Sequence, residues 1–449
     1  MVDRRITGLT KGLMIAASNS GSGKTVITLA LLRAFKQAGL DVRAAKAGPD
    51  YIDPAFHVLA SGHASVNLDP WAMSPERCRV LAGMPSGKQD RATGLLLVES
   101  MMGLFDGAMD GTGSGADLAK ALTLPVVLVI DAAKQSHSIA ALVRGFRDHD
   151  QSVSICGVIL NRVGSERHET MLRQALAKID VRVLGTVRRN PDLALPERHL
   201  GLVQAGEIQS VEAFIDKAAT QITKECDLDA LVECFHTLQE AKPQNINNPR
   251  QKVPPPGQHI AIARDQAFSF IYPHLLNDWR NQGASVSYFS PLADEGPRQD
   301  ADAVFLPGGY PELHAGKLSN AKQFISRMEK ARLRGCLIYG ECGGYMVLGE
   351  GLTDSEGERH QMLGFLRLET SFVKRQLHLG YRIIVPCQQF FAGPVVKAHE
   401  FHYTRAVKQA GLPLFKARDA SGILLPDQGL VSSNVMGSYM HLIDAGAMA

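Results

Sequence analysis

Short apolar, β-branched runs recur along the first half of the chain, at residues 13–17, 42–47, 95–98, 126–130, 155–160 and 181–187. Between several of them, at 25–37, 138–148 and 166–178, the apolar positions return near every 3.6 residues, the spacing with which a helix buries one face. Strand, crossover helix, strand is the signature of βαβ units. The pattern therefore predicts a doubly wound, mostly parallel α/β sheet for a first domain over 1–240. Residues 241–257, AKPQNINNPRQKVPPPG, hold five prolines and three asparagines, which resist helix and sheet and predict a linker. A second α/β series follows in 258–449, with apolar runs at 260–263, 286–289, 303–306 and 337–339 and a helical pattern at 321–332.

Composition narrows the class. A length of 449 residues suits several cores rather than one. Hydrophobic residues at 45%, charged residues at 21% and a net charge of +3 describe an ordinary globular protein and argue against disorder or a dedicated nucleic-acid surface. The seven cysteines are odd in number and form no CxxC pair, so neither a disulfide framework nor a zinc knuckle is indicated and a reducing compartment fits. No apolar run approaches the roughly 18 residues needed to span a bilayer. The apolar stretch after the basic N-terminus is short and runs directly into a polar glycine-rich loop, so it reads as a first strand rather than a secretion signal. The expectation is a cytoplasmic protein with small-molecule partners, and with neither nucleic acid nor membrane among them.

In an open parallel sheet, ligands collect beyond the carboxyl ends of the strands, so polar residues in those loops carry meaning. After the first run comes SNSGSGKT, residues 18–25, in the strand, glycine-rich loop, helix order of a phosphate-binding loop, although Ser18 stands where the first glycine usually does. Ser20, Gly21 and Gly23 present backbone to phosphate, Lys24 adds a point charge, and the Thr25 hydroxyl can ligate Mg²⁺. The second run ends in KAGPDYIDP, bringing Lys46, Asp50, Tyr51 and Asp53, and either aspartate can help hold Mg²⁺. The third ends in ESMMGLFDG, with Glu99 and Asp106; an Asp-Gly turn is equally often structural. Asp131 ends the fourth run, and Asn161, a candidate for contacting the nucleotide base, ends the fifth. The loop specifies ATP or GTP. A lysine and several carboxylates beside it suit activation of a substrate carboxylate as an acyl phosphate, but switch and motor proteins share the loop.

The second domain carries GECGGYM at 340–346, a strand entering a glycine-flanked turn and then a helix. This is the shape of a nucleophile elbow with Cys342 in place of serine, where a helix start favours thiolate. Cys336, inside the strand, reads as core. An oxyanion hole needs backbone N–H groups nearby, and the LPGGYPE turn offers Gly308 and Gly309. GSYMHLI near the C-terminus supplies His441 as base. The HEFH segment at 399–402 lacks HExxH spacing and shows no third ligand, which argues against a metal there.

Together these motifs resemble one family, the cobyrinic and hydrogenobyrinic acid a,c-diamide synthases. The resemblance runs nearly end to end through SGSGKT, KAGPDYIDPAFH, NLDPWAM, MMGLFDG, ILNRVGSERH, LPERHLGLVQAGE, LPGGYPELHA, GECGGYMVLG, HEFHYTR and GSYMH. It implies an N-terminal P-loop domain like dethiobiotin synthetase and a C-terminal class I glutamine amidotransferase domain. It also implies a ligase of cobalamin biosynthesis that uses ATP, glutamine and Mg²⁺ to amidate the c and then the a acetate of the corrinoid, with ammonia passing internally between domains. Cys342 and His441 would be the glutaminase dyad and Gly308, Gly309 and Gly343 its oxyanion hole. Lys24 and Thr25 would serve ATP and Mg²⁺, and Thr25, Asp50 and Glu99 would hold the metal. Asp50, Tyr51, Asp53, Glu99 and Asp106 would form the synthase site. Ile443 stands where the broader class has a glutamate after the histidine, hence a dyad, and Ser100 replaces a glycine common in the family. Open alternatives are a nickel-sirohydrochlorin a,c-diamide synthase, a cobyric acid synthase and, from another class, a non-catalytic P-loop switch or partition ATPase. Whether the substrate carries cobalt, and whether the protein is a homodimer, stay open in the sequence.

Overall fold

The computed structural model describes residues 10–83, 94–193, 197–198, 201–202, 210–239 and 252–446. The chain forms two compact units, Met1–Asn247 and Asn248–Ala449. Most of the expected linker lies outside the described residues. Its described end, 252–257, is packed on the second unit: Val253 is fully buried and Lys252 Nζ lies 3.7 Å from Asp278. No helix among the described residues is long and apolar enough to cross a membrane.

The first unit is built on seven parallel strands: β1 (Lys11–Ala17), β2 (Val42–Ala47), β3 (Val66–Leu68), β4 (Leu95–Glu99), β5 (Val126–Asp131), β6 (Ile155–Val163) and β7 (Val183–Arg188). Their spatial order is β3-β2-β4-β1-β5-β6-β7, and a short strand, His236–Thr237, runs antiparallel to the start of β1. The central strands are buried on both faces, which is why they read as unbroken apolar runs rather than alternations. The chain leaves β1 toward β2 on one side and crosses from β4 to β5 on the other, so the crevice at the carboxyl end of β1 is a topological switch point. Helix α1 (Lys24–Gln37) opens there. Arg33, midway along α1, ties the layer together by donating to the carbonyls of Leu59 and Ala60 and to the carboxylates of Glu212 and Asp216.

The second unit has a six-stranded sheet in the order Ser285–Phe289, His259–Ala263, Ala303–Leu306, Leu337–Glu341, Val435–Ser438, Leu430–Ser432, the first five parallel. Beyond the helix expected after the Cys342 turn, which is present at Gly343–Leu348, the sequence pattern assigns no further strands or helices. The structure fills much of this region with two further sheets, one of them a five-stranded antiparallel sheet that includes Val396–His402 and Met440–Ala445. These strands escape a pattern reading because their burial is irregular: His378–Pro386 alternates neither cleanly nor continuously.

Candidate active sites

In the first unit, Gly23 ends the glycine-rich loop in a left-handed conformation, φ 86°, and starts α1. A side chain there would strike the Asn161 amide, 2.2 Å from the Cβ position, so glycine is required twice over. The loop borders a cleft of about 790 Å³ whose lining includes Ser20, Gly21, Gly23, Lys24, Thr25, Lys46, Asp50, Asp53 and Asn161. At its floor four separate segments converge. Glu99, fully buried at the end of β4, accepts from Thr25 Oγ1 at 2.7 Å and Lys46 Nζ at 3.0 Å on one oxygen, and pairs with His57 Nε2 at 2.7 Å on the other. Lys46 Nζ also reaches Asp53 Oδ2 at 2.5 Å, and Lys24 Nζ lies 3.8 Å from Glu99.

The electrostatics follow from burying opposite charges together. Burial, then repulsion from Lys46, lowers Lys24 to about 8. Burial works against the Lys46 charge, but Asp53 and Glu99 outweigh it and raise its pKa. Burial likewise opposes the Glu99 charge, yet Lys46 and the His57 hydrogen bond hold it well below the usual carboxylate range. Asp53, buried and repelled by Asp50, is raised to about 6.

Several sequence expectations change here. Asp50 does not touch Thr25: its Oδ1 accepts from the backbone N–H groups of Ile52 and Asp53, and it is Asp53 Oδ2 that lies 3.5 Å from Thr25 Oγ1. Asp106 does not join the cluster, because its carboxylate closes a turn by accepting from the Gly103 N–H at 2.8 Å. Tyr51 is half-buried and not among the cleft-lining residues. The Asn161 amide, which lines the cleft, donates to Ser22 O at 2.8 Å and accepts from the Arg162 N–H, so it also braces the phosphate loop. Arg162 braces the same loop through Gly21 O at 2.9 Å and Asp131 at 2.6 Å. Ser100 is tolerated because residue 115 is glycine: the hydroxyl occupies the space a Cβ there would fill, 2.0 Å away. His57, three residues into KAGPDYIDPAFH from Pro54, is a member of the buried cluster that spacing alone does not single out.

In the second unit, Cys342 sits between the strand Leu337–Glu341 and the helix Gly343–Leu348 at φ 45°, ψ −103°, a strained elbow for a non-glycine residue. The turn closes only over glycine, since a Gly344 Cβ would lie 1.9 Å from Leu306 O. The Cβ position of Gly308 lies 2.4 Å from His441 Cε1, 3.3 Å from its Nε2 and 3.4 Å from Cys342 Cβ, so the imidazole and the cysteine flank one point above Gly308. The Cβ position of Gly343 is 3.1 Å from the Gly309 nitrogen, so the turn after Leu306 packs directly against the residue that follows the nucleophile. Burial, with Glu312 nearby, pushes the Cys342 thiol up, while a hydrogen bond from the Gly343 backbone N–H works the other way. Cys336 is buried in the core as expected.

The HEFH strand forms a wall of this site. Cys342 Sγ is 4.0 Å from Phe401 O, and His399 faces His441 across paired strands and is lowered to about 3 by burial and the His441 charge. A third potential ligand does exist: His378, Glu400 and His402 bring donor atoms within 4.8 Å of one another. Arg382 nevertheless holds the Glu400 carboxylate at 2.9 and 2.7 Å, and His402 Nε2 takes its other oxygen at 3.0 Å, which makes the group an ion-pair network. Glu341, the residue before the nucleophile, places its Oε2 3.7 Å from His441 Nδ1.

Two family models match the chain: a CobQ/CobB/MinD/ParA nucleotide binding domain over residues 13–203 and a CobB/CobQ-like glutamine amidotransferase domain over 259–447. Similar curated proteins are the hydrogenobyrinate a,c-diamide synthases of Rhizobium meliloti, 56% identical over 96% of this chain and 99% of the relative, and of Brucella anthropi, 55% identical over 97% and 98%. The Rhodobacter capsulatus protein of the same name is 48% identical over 96% and 98%. With both halves matched in order and the relatives covered almost completely, the chain belongs to the hydrogenobyrinate a,c-diamide synthase family.

Proposed function

We propose that this protein is an ATP- and glutamine-dependent ligase of cobalamin biosynthesis that converts the a and c acetate carboxylates of hydrogenobyrinate into amides. The observation that carries the reading is the presence, in one chain coextensive with its relatives, of a phosphate loop over the Lys24, Lys46, Asp53 and Glu99 cluster together with the Cys342–His441 elbow. In the glutaminase half, His441 takes the Cys342 proton and Sγ attacks the glutamine carboxamide, with the Gly309 and Gly343 N–H groups, and the adjoining Gly308 turn, receiving the developing oxyanion. Ammonia leaves, and water cleaves the thioester to glutamate. In the synthase half, a corrinoid carboxylate oxygen attacks the γ-phosphorus of ATP and ADP departs. Ammonia then adds to the acyl phosphate and expels phosphate. Two rounds consume two ATP and two glutamines.

The donor set fits Mg²⁺: Thr25 Oγ1, Asp53 Oδ2 and Glu99 Oε1 are oxygens gathered at one point, the ligand type a hard cation prefers. Thr25 with Asp53 or Glu99 would hold it beside the phosphates, and the ion would neutralise phosphate charge. Lys24 and Lys46 supply fixed positive charge to the same place.

The test is product mass after incubation with ATP, glutamine and either hydrogenobyrinate or cobyrinate. Two acid-to-amide exchanges with matching ADP release are expected on hydrogenobyrinate, and no ATP-dependent amidation of either substrate refutes the reading. Cys342→Ala is expected to end glutamine use while free ammonium still supports amidation.

A further inference from the structure

Sequence position predicts a two-residue glutaminase, because Ile443 occupies the place from which the broader class supplies a carboxylate. The fold brings a carboxylate to the histidine from elsewhere. Glu341 ends the strand Leu337–Glu341, and its Cα pairs with that of Ser438 on the neighbouring parallel strand, which leads through Tyr439 into the strand carrying His441. Its Oε1 accepts from the Leu442 N–H at 3.2 Å, which fixes the side chain against the histidine's own strand, and its Oε2 lies 3.7 Å from His441 Nδ1. Glu341 and His441 are both nearly fully buried. The Cε1–Nε2 edge of the imidazole faces the point above Gly308 that Cys342 borders.

We infer that Glu341 is a positioning residue for glutamine hydrolysis: it orients the His441 ring through Nδ1 and stabilises the imidazolium formed when Nε2 accepts the Cys342 proton. The inference rests on the glutaminase reading above. The proton moves from Sγ to Nε2, the charge that appears on the ring is met by the carboxylate, and Glu341 gains no proton. At 3.7 Å the contact is an ion-pair separation, and catalytic hydrogen bonds commonly run long outside the Michaelis complex. A buried carboxylate beside a ring that becomes charged acts where screening by water is weak, so its effect exceeds that of a surface pair. The other ionisable groups around the pair are Tyr339 beside Glu341, His399 facing His441, and Glu312, Glu400 and Tyr439 about Cys342. Of these neighbours, Glu400 is committed to Arg382 and His402.

The experiment compares wild type, Glu341→Gln and Glu341→Asp as full-length proteins, following glutamate release and the pH dependence of Cys342 alkylation by iodoacetamide. Glu341→Gln is expected to lower kcat on the order of 10²-fold with KM within twofold, the loss typical of a misoriented or unsupported general base. The pH midpoint of alkylation is expected to rise by ~1 unit, because a weaker imidazolium stabilises less thiolate. Glu341→Asp is expected to recover part of both. A Glu341→Gln enzyme with kcat within threefold of wild type, or with reduced kcat but an unmoved alkylation midpoint, overturns the inference. If Glu341→Gln does not fold by thermal unfolding, the alkylation midpoint of Glu341→Asp decides alone, an upward shift supporting and no shift refuting. Wild-type protein that releases no glutamate would instead overturn the glutaminase reading itself.

Discussion

Gly308→Ala isolates the contact between the nucleophile's turn and its base. Gly308 has no left-handed backbone requirement, so alanine introduces a methyl group without backbone strain. That methyl would lie 2.4 Å from His441 Cε1. An ordinary carbon contact is about 3.5 Å, so the imidazole must retreat by roughly 1 Å if the backbone holds. Misplacing a catalytic group by that distance costs on the order of 10²-fold, or about 2.7 kcal/mol of barrier. If the turn yields instead, overpacking should appear as ~1–3 kcal/mol of lost stability. For a unit of this size that lowers Tm by roughly 2–4 °C per kcal/mol. Steady-state glutamate release and thermal unfolding on the same preparation read both routes. The expected result is a kcat loss near 10²-fold with a small Tm change. Variant protein with kcat within threefold of wild type and an unchanged Tm would refute the geometry, because the methyl group would then have met nothing. Gly309→Ala is a poorer probe, since its Cβ would lie 2.2 Å from Ala267 O and its φ is 159°.

Lys46→Met removes the cation between Asp53 and Glu99, side chains almost wholly removed from water. Removing the cation that two buried carboxylates share should cost ~3–5 kcal/mol, read as a fall in urea midpoint, and a loss under about 1 kcal/mol would show the cluster to be far better solvated than its burial implies. Gly115→Ala should clash with the Ser100 hydroxyl and destabilise by ~1–3 kcal/mol. Ser100→Gly in the same chain should restore most of that loss; a double-mutant cycle with no coupling would refute the contact.

The motifs that could be read in advance share one property: each is a continuous segment whose geometry is set by its own residues. The phosphate loop and the elbow are glycine-rich turns between a strand and a helix, and at Gly23 and Gly344 a Cβ would strike a neighbour or backbone. The parallel strands were visible for a similar reason, because burial on both faces leaves an unbroken apolar run. The later strands, irregularly buried whatever their length, leave no such trace.

The two-part α/β plan and the candidacy of Lys24, Thr25, Glu99, Cys342 and His441 are legible in the residue pattern and its motifs alone. Which groups meet was decided only by tertiary structure. Asp53 rather than Asp50 faces Thr25, Asn161 and Arg162 brace the loop, Asp106 closes a turn, and His57 joins Glu99. Glu341 and His441, a hundred residues apart, come together because adjacent strands share a register. Strand order and register are set by packing across the whole sheet, and a side chain of a few ångströms' reach depends on them entirely, so no local spacing encodes these encounters.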